Sequence, residues 1–210
     1  MLTLPKVYAI TDTSISGLSH ADQVRQLVDG GIRLIQLREK HKAPGDWIED
    51  AILAAEIARD NDVILIVNDR IDIAMAIDAD GVHLGQTDLP ADAARRLIGP
   101  DKIIGISTHN VEQVRDALSQ PVDYIAFGPV FSTNTKADPD EVTGVEGLGE
   151  TRKMVGTMPL VAIGGIDHSN ASTVLTAGAD SVAVISCLLN GERSIPDASR
   201  ALTEIAAQHG

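Results

Sequence analysis

Aromatic residues and cysteine are scarce in this chain. Aromatic side chains make up 2 % of its 210 residues, so the core must consist mainly of Val, Ile, Leu and Ala. A surface that binds nucleic acid by stacking bases on aromatic rings has little material here. Cys187 is the single cysteine, which excludes an internal disulfide and any metal site built from several cysteines. We therefore expect a reducing compartment, the cytoplasm.

Positive charge is also scarce. Lys and Arg number 17 against 30 Asp and Glu, which gives a net charge of −13. Because such a surface repels nucleic acids and anionic membranes, we expect neither as a partner. The sequence lacks a run of ~20 apolar residues that could span a bilayer, and its start lacks the pattern of a signal peptide. Any anionic substrate must be bound by a local cluster of cations.

Short apolar segments, rich in β-branched residues, recur along the chain and are typical of buried parallel strands. The predicted strands are 6–11, 32–37, 63–67, 81–84, 103–106, 124–130, 160–163 and 182–185. Segments with helical spacing lie between them, at 18–30, 46–60, 71–77, 91–98, 111–118, 147–155, 170–177 and 197–207. The alternation predicts an α/β fold, a single (β/α)8 TIM barrel over residues 1–210 with a parallel eight-stranded sheet. A doubly wound open sheet is the alternative.

The active site of such a barrel lies at the carboxyl ends of its strands. Alternation along the second strand places Ile32, Leu34, Gln36, Arg38 and Lys40 on one face. The first two are predicted to fill the barrel interior. The amide and the two cations above them favour binding of an anion, because buried cations need partners. Ion pairs with internal carboxylates are the alternative.

Polar residues also follow the third, fourth and fifth predicted strands. Asn68 and Asp69 end the third strand, Asp88 follows the fourth, and Ser107 ends the fifth. Two carboxylates on neighbouring strand ends are suited to Mg²⁺, which takes one or two carboxylates and completes its shell with water and phosphate. As the alternative, each Asp is a helix cap or turn residue.

The longest irregular stretch follows the sixth strand. It contains Thr133, Thr135 and Lys136, which add two hydroxyls and a third cation. Gly144 and Gly147 further along indicate a mobile flap that brings Lys136 over the site when it closes. A solvated loop is the alternative.

A second anion site is predicted after strands seven and eight. Gly165 lies in a Gly-Gly pair that permits close approach of backbone N–H groups to a ligand. A short helix beginning near Ser186 would point its N-terminus at the same place, where barrels frequently hold a phosphate. We expect no function for His83 or Cys187, which are predicted to be packed or hydrogen-bonded.

Eight segments carry a resemblance to a known family. In chain order they are YAITD, QLREK, VNDR, GVHLGQTDLP, GISTHN, FGPVFSTNTK, AIGGI and VAVIS. As a set they closely resemble the thiamine phosphate synthases, which are (β/α)8 enzymes. The resemblance implies a transferase that joins a hydroxymethylpyrimidine diphosphate to a thiazole monophosphate, giving thiamine monophosphate and pyrophosphate. It also implies that Mg²⁺ and cations help the diphosphate to leave, and that the thiazole nitrogen captures the resulting pyrimidine carbocation.

The resemblance assigns site residues by matching position. The pyrimidine diphosphate would be held by Gln36, Leu37, Arg38, Glu39, Lys40, Asn68, Ser107 and Lys136. The thiazole phosphate would be held by Thr133, Asn134, Thr135, Gly165, Ile185 and Ser186. Asp69 and Asp88 would bind Mg²⁺, and Arg38, Ser107 and Lys136 would act in catalysis.

Two other functions stay open beside this one. A related barrel subfamily isomerises the thiazole instead of coupling it, which predicts loss of the diphosphate and metal residues. Asp69, Asp88, Ser107 and Lys136 are all present, which argues against that reading. A non-enzymatic binder of thiamine phosphates is the second alternative. We expect phosphorylated small molecules as ligands and a monomer or homodimer in solution.

Overall fold

A computed structural model of the chain describes residues 2–133 and 141–209. Eight parallel strands form a closed barrel in chain order. They are β1 (Val7–Ile10), β2 (Leu34–Leu37), β3 (Ile64–Asn68), β4 (Gly81–Leu84), β5 (Ile103–Thr108), β6 (Tyr124–Phe127), β7 (Leu160–Ile163) and β8 (Ser181–Val184). Because β8 pairs with β1, the sheet has no edge, and the (β/α)8 prediction is confirmed over the open doubly wound alternative.

Helices connect the strands and cover the outside of the barrel. They are α1 (Thr13–Ser16), α2 (His20–Asp29), α3 (Ile48–Asp60), α4 (Ile71–Ala76), α5 (Ala91–Ile98), α6 (Val111–Leu118), α7 (Gly144–Val155), α8 (Ala171–Thr176), α9 (Ser186–Leu189) and α10 (Ile195–Ala207). A 3-10 turn at Pro44–Asp46 precedes α3. No helix in the described ranges is long and apolar enough to cross a membrane.

The apolar residues separate into two clusters. The larger lies between the strands and the helices, and the smaller fills the barrel interior. Leu34 belongs to the interior cluster, but Ile32 packs in the outer one, so its predicted interior position is wrong. The reason is that β2 begins at Leu34, and strand alternation does not extend back to Ile32. Leu2 and Leu4, before β1, pack against the interior cluster.

Three aspartates repeat one interaction around the barrel. Asp80, Asp123 and Asp180 each immediately precede an even-numbered strand, and each accepts a hydrogen bond of 2.7–2.8 Å from a backbone N–H in the strand before it. Arg95 and Arg152 form ion pairs with the second and third of these carboxylates. These contacts tie neighbouring strands together at the end opposite the predicted site.

The eight helices predicted between the strands are present in the predicted order, with ends that differ by up to three residues, whereas α1 was not predicted. Helix α7 begins at Gly144, where the pattern predicted 147, because the low helix propensity of glycine concealed the first turn. Helix α10 begins at Ile195, two residues before the predicted start. There Ser194 caps the helix by accepting a hydrogen bond from the backbone N–H of Asp197.

Gly105 on β5 makes room for the ring of Tyr124 on β6. A Cβ added at Gly105 would lie 2.0 Å from Tyr124 Cζ. We predict that Gly105→Ala lowers the free energy of unfolding by about 1–3 kcal/mol, since overpacking a closed interior forces a ring out of place. Gly45→Ala is the control, because its Cβ would meet nothing within 4 Å. Equal denaturant midpoints for the two variants would contradict this account.

Candidate active site

Two ion pairs hold cations at the carboxyl ends of the first three strands. Arg38, just after β2, pairs with the buried carboxylate of Asp12, which follows β1. Lys40 pairs with Asp69, which follows β3. Ion pairs with internal carboxylates were the alternative to anion binding for these two cations, and both pairs are present. Both cations also lie at the predicted site, and their binding of a substrate anion stays a prediction.

Asp69 and Asp88 lie side by side, as their positions on neighbouring strand ends predict. The Asp88 carboxyl reaches the Asp69 carboxyl, and burial together with this contact raises the pKa of Asp88 above its usual range. Asp88 also accepts a 2.7 Å hydrogen bond from the backbone N–H of Gly85. Asp69 adopts a φ of 59°, a left-handed conformation uncommon outside glycine and favoured by Asn and Asp. Strained residues of this kind are often found at functional sites.

This carboxylate pair is suited to a hard cation. No group of three or more His, Cys, Asp or Glu within residues 2–133 and 141–209 is arranged to hold a metal. A cation here would therefore rely on two protein carboxylates and complete its shell with water and substrate oxygens, as Mg²⁺ commonly does. Close by, at the end of β3, the Asn68 side-chain Nδ2 is buried without a hydrogen-bond partner. A buried donor of this kind is satisfied when a ligand accepts from it.

Glu39 is already occupied by contacts within the protein. Its side chain is 1 % exposed. It accepts hydrogen bonds from the Thr13 hydroxyl at 2.9 Å and from the backbone N–H groups of His41 and Lys42. Burial alone would raise the pKa of Glu39, but these hydrogen bonds and the nearby His20 lower it to about 2. Glu39 thus anchors the loop after β2.

Two other residues of the predicted pyrimidine site face the protein rather than solvent. Leu37 is fully buried in the outer apolar cluster, so only its backbone can meet a ligand. Gln36 is buried in the barrel interior, where its Nε2 donates a 2.8 Å hydrogen bond to the hydroxyl of Tyr8. Substrate binding through either residue stays a prediction.

A hydrogen-bonded chain continues from Gln36 across the barrel interior. The hydroxyls of Tyr8 and Tyr124 lie 2.9 Å apart, and Tyr124 lies 2.9 Å from Nδ1 of His83. The other ring nitrogen, Nε2, lies 2.8 Å from the hydroxyl of Ser107. Burial lowers the pKa of His83 to about 4, so its ring is neutral at pH 7. The chain joins Gln36 and Ser107, two residues predicted to bind substrate.

The loops after β6, β7 and β8 meet on the other side of the opening. Gly164 and Gly165 have φ values of 100° and 63°, and a Cβ on Gly165 would lie 2.5 Å from the carbonyl oxygen of Ser132. Both positions therefore require glycine, and the loop after β7 packs directly on the loop after β6. Ile185 follows β8, and the exposed Ser186 begins α9, the short helix that the sequence predicts there.

Part of the predicted flap lies beyond the described structure. Thr133 ends the first described range, whereas Asn134, Thr135 and Lys136 lie outside the described residues. Gly144 and Gly147, predicted as flap residues, belong to α7. Thr143, immediately before α7, donates hydrogen bonds to the carbonyl of Pro129 through its backbone N–H and its hydroxyl. These two glycines therefore lie in a helix whose start is tied to the loop after β6, and the part of the predicted flap that carries Lys136 lies outside the described residues.

Sequence reasoning missed Asp12, Tyr8 and Tyr124. Asp12 lies two residues after β1, at the same end of the barrel as Asp69, and it is the partner of Arg38. Tyr8 and Tyr124 are the two tyrosines of a chain with very few aromatic residues, and both lie inside predicted strands. A polar aromatic residue within an apolar strand is the signal that would have found them.

The charge state of Glu39 generates a stability prediction. We expect Glu39→Gln to lower the free energy of unfolding by about 1–3 kcal/mol at pH 7, because buried donors lose a charged acceptor. The folded-state pKa of about 2 lies below the unfolded value, so the wild-type contribution is complete above about pH 4.5 and is lost between pH 4.5 and 2. The difference between the two proteins should therefore shrink over that interval.

Urea titrations at several pH values measure this difference. Glu56→Gln, at an exposed position of α3, is the matched control and should behave like the wild type. A Glu39→Gln difference that stays constant from pH 7 to pH 2.5 would contradict the proposed anchor.

Known proteins resemble this chain over most of its length. Residues 7–188 match the family described as thiamine monophosphate synthase, TMP-TENI. A thiamine-phosphate synthase from Clostridium novyi is 45 % identical over 201 residues, covering 95 % of this chain and 98 % of that protein. A thiamine-phosphate synthase from Chloroflexus aurantiacus is 44 % identical over 185 residues, covering 88 % and 85 % of the two chains.

Solved structures agree with this relationship. A thiamine phosphate pyrophosphorylase from Pyrococcus furiosus superposes with a TM-score of 0.88 at 35 % identity, covering 98 % of this chain and 96 % of that one. The matching residues extend through every strand end that carries a candidate site residue. The chain is therefore an enzyme of the thiamine monophosphate synthase family.

Proposed function

We propose that this enzyme joins 4-amino-2-methyl-5-hydroxymethylpyrimidine diphosphate to hydroxyethylthiazole phosphate, giving thiamine monophosphate and pyrophosphate. The observation that carries the proposal is the grouping of Arg38, Lys40, Asp69 and Asp88 at one end of a barrel. Cations and a metal-binding carboxylate pair are what a departing diphosphate requires. The relatives are named for thiamine phosphate, and the family resemblance implies the two substrates that this chemistry would join.

Asp69 and Asp88 would hold Mg²⁺. Their fit is supported by the contact between the two carboxyls and by the raised pKa of Asp88, since two adjoining carboxylates repel one another until a cation or proton lies between them. When bound, Mg²⁺ would neutralise part of the diphosphate charge. Lys40 forms an ion pair with Asp69, so its positive charge lies beside the carboxylate pair and would also help to bind the diphosphate.

The chemical step breaks the bond between the pyrimidine methylene carbon and the diphosphate oxygen, and the electron pair leaves with that oxygen. Arg38, Lys40 and Ser107 would stabilise the negative charge that develops there, which is the electrostatic contribution that lowers such barriers most. The lone pair of the thiazole nitrogen then forms the new carbon–nitrogen bond. Water must be kept out until that bond has formed, because it would otherwise capture the carbocation.

Covalent catalysis by a protein nucleophile finds little support among the described residues. Burial, with a smaller contribution from Asp167, raises the pKa of the Cys187 thiol to about 12, so Cys187 is protonated at pH 7. Both ring nitrogens of His83 are already hydrogen-bonded in the barrel interior. These observations favour ionisation of the diphosphate over displacement by a side chain.

The thiazole phosphate would bind at Gly165, Ile185 and Ser186, across the opening from the cations. Gly165 has a left-handed backbone after β7, and Ser186 begins α9 after the neighbouring strand β8, so both would offer backbone N–H groups to one phosphate. Thr133, Asn134 and Thr135 would complete this subsite.

The enzyme would act in the cytoplasm, in keeping with a single unpaired cysteine.

The test of this function is release of pyrophosphate when both purified substrates are supplied. We expect release to require both substrates and to stop when EDTA removes all divalent metal. Full activity in EDTA, with metal content verified as nil, would refute the metal role. Isomerisation of the thiazole without pyrophosphate release would instead identify a tautomerase, and binding without turnover would identify a non-enzymatic binder.

The carboxylate pair gives a sharper prediction. We expect Asp88→Asn to raise the Mg²⁺ concentration needed for half-maximal activity by about tenfold or more, since it removes a charged ligand. Asp92→Asn, at an exposed position in the first turn of α5, is the matched control and should leave the Mg²⁺ requirement unchanged. An identical Mg²⁺ dependence for the Asp88 variant and the wild type would remove Asp88 from the metal site.

One added negative charge tests whether the two anion subsites are distinct. Ser186→Asp places a carboxylate where the thiazole phosphate is expected, and we predict a loss of affinity of about tenfold or more for that substrate. Affinity for the pyrimidine diphosphate should change little. Thr157→Asp adds the same charge just before β7, at the opposite end of the barrel, and is the control. Calorimetry with each substrate separately measures the two affinities. Equal losses of affinity for both substrates would show that the division into two anion subsites is wrong.

A further inference from the structure

Four hydrogen bonds join five side chains in the barrel interior, from Gln36 through Tyr8, Tyr124 and His83 to Ser107. Tyr8, Gln36, Tyr124 and His83 are 1–6 % exposed or fully buried, so water does not compete for their polar atoms. Ser107, which is half-buried, is the member that reaches the opening of the barrel. Each of these buried groups therefore depends on its neighbours in this set for hydrogen bonds.

One direction of these hydrogen bonds makes Ser107 an acceptor at the His83 end. The Gln36 amide donates through Nε2 to the Tyr8 oxygen, and in this direction the Tyr8 hydroxyl donates to Tyr124. The Tyr124 hydroxyl would then donate to Nδ1 of His83, 2.9 Å away. A neutral imidazole that accepts at Nδ1 carries its proton on Nε2. In this direction His83 donates from Nε2 to the oxygen of Ser107, 2.8 Å away.

We propose that Tyr124 and His83 are positioning residues that hold Ser107 as a hydrogen-bond donor toward the diphosphate of the substrate. This inference rests on the proposed function. With the His83 N–H directed at its oxygen, Ser107 has its own hydroxyl proton free for a ligand. Phosphate oxygens only accept hydrogen bonds, so a serine held in this state matches them without rearrangement during the reaction.

If these hydrogen bonds ran in the opposite direction, Ser107 would no longer be a donor toward the ligand. If His83 carried its proton on Nδ1, Ser107 would donate to Nε2, and its hydroxyl proton would no longer be available to an anion. The Tyr124 hydroxyl prevents this state only while it donates to Nδ1. Loss of that one hydroxyl should therefore change the behaviour of Ser107, although Tyr124 itself never touches the ligand.

Tyr8 provides a matched comparison within the same chain. Its ring meets that of Tyr124 edge to face, with the centroids 6.1 Å apart, and it lies in the same interior cluster. Tyr8→Phe removes the same chemical group from the same environment, but it leaves the hydroxyl of Tyr124 able to donate to His83. We expect Tyr124→Phe to disturb the His83 tautomer and Tyr8→Phe to preserve it.

Nitrogen-15 NMR of the histidine side chains at pH 7 reads the tautomer without any substrate. The wild type and Tyr8→Phe should show His83 protonated on Nε2, and Tyr124→Phe should show a mixture or the reverse tautomer. A wild-type ring protonated on Nδ1 would overturn the inference. So would a Tyr124→Phe tautomer unchanged from the wild type. Because this readout needs no turnover, it stands even where the proposed coupling reaction fails.

A double-mutant cycle tests whether the tautomer matters for the ligand. Tyr124→Phe should reduce the single-turnover coupling rate by about tenfold in the wild-type background, within the range for residues that share a network. In a Ser107→Ala background the same change should cost less than about twofold, because the group through which Tyr124 acts is gone. Independent effects that multiply in the double variant would show that Tyr124 serves the fold alone.

Two substitutions of His83 complete the test where a tyrosine variant does not fold. His83→Gln retains an amide donor that reaches toward Ser107, whereas His83→Leu retains none. Direct calorimetry with the pyrimidine diphosphate should show tighter binding to the Gln variant than to the Leu variant at equal thermal stability. Equal affinities would contradict a donor role passed through Ser107.

Discussion

Parallel pairing of β8 with β1 is the constraint on which the rest of this structure depends. Once the sheet is closed, the carboxyl ends of all eight strands form one ring. Residues more than a hundred positions apart in the chain then face one opening. Asp12 after β1, Asp69 after β3 and Ser186 after β8 all lie around the opening of the barrel, because in a closed parallel sheet every strand ends at that same rim.

Closure also creates an interior that has to be filled. Gly105 supplies the space into which the Tyr124 ring fits, and the phenol hydroxyls that enter with the two tyrosines require partners that water cannot provide. His83, Gln36 and Ser107 meet that requirement. The polar core of the barrel and the candidate site residue Ser107 are therefore joined by continuous hydrogen bonds, so the packing of the interior affects the position of Ser107 at the opening.

Electrostatics at the site run against the overall charge of the molecule. In a chain of net charge −13, Arg38 and Lys40 stand at the strand ends paired with Asp12 and Asp69. Ion pairing keeps the cations in place while the site is empty of substrate, and it lowers the cost of holding charge in a half-buried position. Asp69 takes part both in an ion pair and in the carboxylate pair with Asp88, so the cation and metal functions proposed here share one residue.

The amino-acid sequence by itself determined the barrel, the order of its strands and helices, and the positions of polar residues at strand ends. Hydrophobic periodicity is a local property, and it predicted every strand to within a few residues. Side-chain alternation is equally local, but it holds only inside a strand, which is why Ile32 was misplaced. Glycine at the start of α7 similarly concealed a helical turn that tertiary contacts stabilise.

Tertiary structure alone decided which polar groups are partners. Arg38 could have faced a ligand or a carboxylate, and only the fold brings Asp12 to it. Glu39 belongs by position to a substrate-binding segment, yet its carboxylate is turned toward Thr13 and the loop backbone. The chain from Gln36 to Ser107 joins residues from five strands. Such contacts depend on which side chains of non-adjacent strands come close together inside a closed barrel, and no local pattern in the sequence encodes that proximity.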